Sequence, residues 1–244
     1  MITREKITEL TEKYQNRPEA LAKIEAVSAT LTALDHHQLP QQPLPPLPYS
    51  YQALRRQPAL LPLDDVLADL RSSLIEQYGL WFLPNQAWLN DLSRWLNHRP
   101  LIELMAGNAA ISAGLQGLGE TVLAVDTFDW LGQDNERPAP WTQVIQDDAQ
   151  TAVQKAIQRR SPFDFENDPV FLLSWAPDTT EDDWRLLTYL RQHLPDFTLV
   201  VIGEKDGATN SKKFWQEAKL DRPKALNQHY QPFDTIQDAV YLAH

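Results

Sequence analysis

The chain contains no cysteine, which excludes disulfides, thiolate metal sites and cysteine nucleophiles. It has no apolar run of about eighteen residues, the length a membrane-spanning helix needs. The opening MITREKITEL lacks the apolar core of a secretory signal. The six histidines are scattered. Only His36 and His37 adjoin, and neighbouring helical positions point about 100° apart, which is poor geometry for sharing a metal. Neither an H-E-x-x-H spacing nor a Walker-type phosphate loop occurs. A basic excess is also missing: the formal net charge is −11, which argues against nucleic acid as a partner. The one local reversal, Lys205 to Lys224, holds six basic residues against three acids and reads as an exposed helix face, with an anion-attracting rim as the sharper alternative. These absences together point to a cytoplasmic protein that uses no metal.

What is present is a sizeable core. Apolar residues make up 43% of 244, enough for one large α/β domain with a helical appendage. The most informative stretch is Pro100–Asp126, PLIELMAGNAAISAGLQGLGETVLAVD. Leu101–Met105 is short and apolar, as a buried parallel strand is. Ala106-Gly107-Asn108-Ala109 offers little side-chain bulk, so a ligand or another backbone can approach. Ile111, Leu115 and Leu118 form a helical stripe, and Val122–Val125 reads as a second buried strand. Asp126 follows the turn by about twenty residues, where an acid can reach both ribose hydroxyls of a nucleotide. Met105 and Ala109 stand where a dinucleotide fingerprint has glycines, which weighs against an NAD-dependent oxidoreductase because the pyrophosphate needs that close approach.

Upstream, Ile7, Leu10 and Tyr14 mark one amphipathic helix, and Leu21, Ile24, Val27, Leu31 and Leu34 a second that starts near Pro18. LPQQPLPPLP (Leu39–Pro48) is expected to be extended and reads as a stiff spacer, with a motif for proline-recognising domains as the less favoured alternative. We therefore expect residues 1–48 to form a helical hairpin and linker, and 49–244 the α/β domain. The hairpin stripe leaves open whether it packs within the chain or forms a homodimer. A helix is expected over Leu63–Gln77 and another over Gln86–Leu96. Tyr78 and Trp81, just before the first strand, read as core packing or as a cap over a bound adenosine or amino-acid moiety.

Thr127–Trp141 has too many turn formers for a crossover helix, which places a long loop at the carboxyl end of a strand, where open α/β sheets bind ligands. Downstream come a short strand at Gln143–Gln146, a helix from Asp147-Asp148-Ala149 to about Arg160, a strand at Pro169–Ser174, a helix from Thr180 or Glu181 to His193, and a strand at Phe197–Gly203. Asp147 and Asp148 either cap their helix or offer an acceptor to an adenine amine. A helix over Ser211–Leu220 follows. Asn227–Pro232 and Ala239–Ala243 then read as an antiparallel hairpin at the sheet edge.

An ordered set of motifs runs through this pattern. A Tyr-containing segment and a proline (Tyr78 to Pro84) precede the first helix, and an E-x-x-x-G turn spans Glu103 to Gly107. Asp148-Ala149 follows strand three, Trp175 to Pro177 ends strand four, and Gly203-Glu204 ends strand five. Over roughly two thirds of the chain, Tyr78 to His244, this resembles the class I S-adenosylmethionine-dependent methyltransferases, in particular a poorly characterised methyltransferase-like branch. The resemblance implies a Rossmann-like fold with a mostly parallel seven-stranded sheet, a C-terminal antiparallel hairpin and an N-terminal helical extension.

It also implies roles, with S-adenosylmethionine as cofactor. Glu103 is similar to the acid near the methionine ammonium, Gly107 to the close backbone approach, Asp126 to the ribose acid and Phe128 to adenine packing. Asp148 is similar to the adenine contact, with Tyr78 as part of the cap. Trp175, Pro177, Glu204 and Trp81 would line the acceptor pocket. The acceptor would be a small molecule or a protein. The alternative is a non-catalytic module that keeps the fold with a degenerate cofactor site. The N-P-P-Y signature of amino-group methylation on bases is absent after strand four, as is a plain catalytic His or Lys. Methyl transfer asks mainly for approach and alignment of the acceptor.

Overall fold

Short apolar runs build the sheet, and alternation sends successive side chains to opposite faces. The computed structural model describes residues 1–244. Its strands are β1 (Leu101–Leu104), β2 (Val122–Asp126), β3 (Val144–Gln146), β4 (Val170–Ser174), β5 (Thr198–Gly203), β6 (Leu220–Asp221) and β7 (Ala239–Ala243). They form one sheet in the order β3-β2-β1-β4-β5-β7-β6. β1 to β5 pair in parallel, and β7 runs antiparallel to both β5 and β6. Strand order reverses between β1 and β4, so ligands are expected outside their carboxyl ends. This sheet, with helices on both faces, is the Rossmann-like methyltransferase fold.

The helices are α1 (Arg4–Tyr14), α2 (Pro18–Asp35), α3 (Tyr51–Arg56), α4 (Leu61–Ala68), α5 (Leu70–Tyr78), α6 (Gln86–Leu96), α7 (Ala110–Gly117), α8 (Ala149–Ile157), α9 (Asp182–His193) and α10 (Lys212–Glu217). On one sheet face, Leu101, Val122, Val170, Leu172 and Val200 share a buried cluster with Leu10 and Ile24 of the N-terminal helices, Leu44 and Leu47 of the proline-rich segment, and Trp88 of α6. On the other, Ile102, Leu104, Phe171, Leu173 and Val201 meet α8, α9 and α10 through Val153, Leu187 and Phe214. Glu103 shares the first face with Leu101 and so points toward α7.

Several expectations shift. The helix over Leu63–Gln77 is two helices, because the backbone tightens at Asp69, whose N–H donates to the Val66 carbonyl at 3.2 Å while Ser73 Oγ donates to the Asp69 carbonyl at 3.0 Å. Leu118 lies past the end of α7 and is exposed. On its outer side β7 pairs antiparallel with Leu220–Asp221, not with Asn227–Pro232. Proline lacks the N–H a ladder needs, and at Asn227 a side chain does a strand's work. Its Nδ2 donates to the Val240 carbonyl at 2.9 Å, and its Oδ1 accepts the Val240 N–H at 3.1 Å. β2 reaches β3 with no helix between them; residues 127–143 carry the crossover as irregular chain.

Candidate cofactor and acceptor site

The turn after β1 keeps a glycine-rich shape with one glycine. Met105, Gly107 and Ala109 all adopt left-handed backbone, at φ 53°, 55° and 54°. For a residue with a Cβ that conformation costs roughly 1–2 kcal/mol. Phe128 after β2 and Trp175 after β4 share it, at φ 55° and 52°. Strained backbone thus gathers at the carboxyl ends of three strands around one cleft, the usual place for a functional constraint.

The cleft is a cavity of about 1160 Å³ whose lining includes Trp81, Gly107, Asp126, Asp148, Trp175 and Pro177. The structure therefore brings six of the sequence-named residues to one space. Asp126 ends β2 and is 7% exposed. Its Oδ2 accepts the Gly107 N–H at 2.8 Å, and its Oδ1 accepts the Phe128 N–H at 2.7 Å and the Trp130 indole N–H at 3.3 Å. Asp148 caps α8, accepting the Thr151 N–H at 2.9 Å. Partial burial pushes its carboxyl up, but the bonds from Thr151, Gln150 and its own backbone outweigh that and hold it below the usual carboxylate range. Asp147, also on the lining, is paired to Lys155.

A smaller cavity of about 60 Å³ adjoins, with Trp81, Gly107 and Trp175 on both linings and Glu103 at its wall. Glu103 is wholly buried, and Ser112 donates to its Oε2 from the backbone N–H at 2.9 Å and from the hydroxyl. Burial pushes its carboxyl up to about 7; the Ser112 bonds oppose the rise and nearby Asp126 adds to it.

Trp175 is held from two sides. Its indole N–H donates to Asp238 Oδ2 at 2.8 Å, an oxygen that also accepts the Tyr230 hydroxyl at 2.8 Å. Burial raises the Asp238 carboxyl above its ordinary value despite those bonds. The Arg71 guanidinium lies 4.3 Å from the Trp175 ring centroid, a cation–π contact. Arg71 is itself fixed by Asp234 at 2.6 and 3.0 Å and by the Trp81 carbonyl, so one side chain positions both tryptophans.

Three sequence-named residues lie off both linings. Tyr78 directs its hydroxyl to Asp35 at 2.5 Å, toward the N-terminal helices. Phe128 packs edge-on against Trp130, with centroids 5.9 Å apart. Glu204 closes its own loop, accepting the Ala208 N–H at 2.9 Å and the Gln237 N–H at 2.7 Å. Sequence reasoning passed over Trp130 and Arg71. The only signal for Trp130 is a tryptophan four residues after the acid; Arg71 sits on a distant helix and carries none.

No family model matches the chain, and no curated protein matches it. Solved structures do. A plantazolicin methyltransferase in complex with SAH is 10% identical over 98% of each chain, with a TM-score of 0.39. An rRNA methylase from Streptococcus thermophilus is 17% identical over 64% of this chain and 92% of that one, with a TM-score of 0.35. A SAM-dependent methyltransferase from Agrobacterium tumefaciens is 16% identical over 65% of this chain, which spans 59% of that enzyme's length, again at a TM-score of 0.35. At such scores the likenesses lend the fold no weight of their own; the strand order carries it.

Proposed function

We propose that the protein is an S-adenosylmethionine-dependent methyltransferase acting on a small-molecule or protein acceptor. The observation that carries this reading is a buried acid, Asp126, at the end of β2, facing a large cavity at the point where strand order reverses and bonded to a left-handed turn at Gly107. Asp126 would hold the ribose hydroxyls, Asp148 the adenine amine, and Glu103 the methionine ammonium. When bound, the cofactor supplies a methyl group already activated on a sulfonium, so the chain need only align the acceptor and exclude water. Trp175, locked by Asp238 and Arg71, gives the acceptor a fixed wall, and Trp81 faces the same space.

One observation favours the second reading, a binding module without turnover. The space beside Glu103 is about 60 Å³, narrow for a methionine tail, and Met105 borders it. Thermal unfolding with S-adenosylmethionine, S-adenosylhomocysteine and NAD tests the assignment. A ligand at one hundred times its dissociation constant adds about 2.7 kcal/mol, or roughly 5–11 °C for a chain of this size, in which each kcal/mol moves the midpoint by roughly 2–4 °C. A shift with both S-adenosyl ligands and not with NAD supports the reading, and a shift with NAD alone overturns it. Methyl incorporation from labelled cofactor then separates an enzyme from a module.

A further inference from the structure

Trp130 lines the large cavity beside Asp126. Its side chain is buried, with only 5% of the residue exposed, although it belongs to the irregular 127–143 crossover and neighbours Leu131, which is 87% exposed. The indole lies over Gly107: a Cβ added there would meet Trp130 Cζ2 at 3.7 Å. It is wedged edge-on against Trp81 and Phe128, at 5.4 and 5.9 Å between centroids. The bare turn at Gly107 borders both cavities and has the protein's own ring within van der Waals reach.

The hydrogen bonds say the same. An ionised carboxylate offers about four lone-pair sites, and Asp126 has three committed, to Gly107 N–H, Phe128 N–H and the Trp130 indole. Holding two ribose hydroxyls takes two sites, so one existing donor must leave. Two of the three are backbone groups tied to the strand ends. The third, the indole, is the only side chain and makes the longest bond, at 3.3 Å. The chain beyond it is anchored separately. Asn135 Nδ2 donates to the Ile75 carbonyl at 2.8 Å, the Ala139 and Trp141 N–H groups donate to Asn108 at 2.8 Å each, and His37 stacks on Trp141. These anchors leave a short stretch around Trp130 and Leu131 to move without unravelling the crossover.

We infer that Trp130 is a gate: in the free protein its indole occupies the ribose-facing side of Asp126, and an adenosyl ligand binds by displacing it. The inference rests on the cofactor reading above. A competent state that is only partly populated weakens apparent affinity by its population, so removing the ring strengthens binding. Titration calorimetry with S-adenosylhomocysteine is run on the wild type and on Trp130→Ala. The gate predicts a dissociation constant lower by about threefold or more in the variant. Equal or weaker binding by Trp130→Ala, with the wild type binding well, overturns the gate and leaves the cofactor reading standing. Binding by neither protein overturns both.

A second readout does not depend on that variant folding. In wild-type protein labelled with 5-fluorotryptophan, the Trp130 resonance is assigned by its loss in Trp130→Phe. It should move on adding S-adenosylhomocysteine and gain a solvent-isotope shift. A resonance that stays in place while the ligand saturates overturns the gate.

Discussion

Glu103 makes stability depend on pH in a way the structure quantifies. Its carboxyl is buried on β1 with only Ser112 to satisfy it, and its pKa is about 7 against 4.5 for the free side chain. The folded protein therefore keeps a proton that the unfolded chain gives up. The associated stability is fully present below pH 4.5 and is lost as pH rises through about 7. At 1.36 kcal/mol per pH unit, that gap amounts to about 3 kcal/mol. Glu103→Gln matches the protonated form in shape and still accepts from Ser112 through its amide oxygen, but it does not titrate. Urea unfolding of both proteins at about pH 5 and pH 8, at fixed ionic strength, isolates the effect, since every other titrating group cancels in the difference. The variant should be close to the wild type at pH 5 and more stable by about 2–3 kcal/mol at pH 8. A gap that changes by less than about 0.5 kcal/mol between the two pH values refutes the reasoning.

Other substitutions test the bonding around the site and the sheet edge. Asp126→Ala leaves three donors without their acceptor and should cost about 2–5 kcal/mol in urea unfolding; near-wild-type stability would mean those bonds are not made. Tyr230→Phe removes one of two donors to buried Asp238 and should cost about 1–2 kcal/mol, with a change in tryptophan emission as Trp175 loosens. Asn227→Ala strips both outward backbone groups of Val240 and should cost about 1–3 kcal/mol, read as faster amide exchange at Val240 than in the wild type.

Much of the fold was legible because it depends on local pattern. The runs Leu101–Leu104, Val122–Asp126, Val170–Ser174 and Thr198–Gly203 are buried on both faces, and a continuous apolar run is the signature of that environment. Asp126 was found by its distance from the turn, since strand, turn and helix lengths fix where β2 must end. β6 escaped because a two-residue strand has no periodicity, and because the Asn227 side chain replaces backbone pairing that an eye trained on strands expects. Arg71 and Asp238 reach Trp175 from α5 and from just before β7, a meeting set by tertiary packing alone. Met105 and Ala109 read as losses of glycine in sequence, yet their backbone keeps the left-handed turn; residue identity and backbone shape part company there. Trp130 was hidden because a tryptophan among turn formers looks like loop filler until its ring is seen over Gly107.

The most direct test of the central claim is calorimetric titration of the wild-type protein with S-adenosylhomocysteine and, separately, with NAD. The account predicts saturable one-to-one binding of S-adenosylhomocysteine and no heat of binding with NAD. Binding of NAD with none of S-adenosylhomocysteine, or of neither ligand at millimolar concentration, would contradict it.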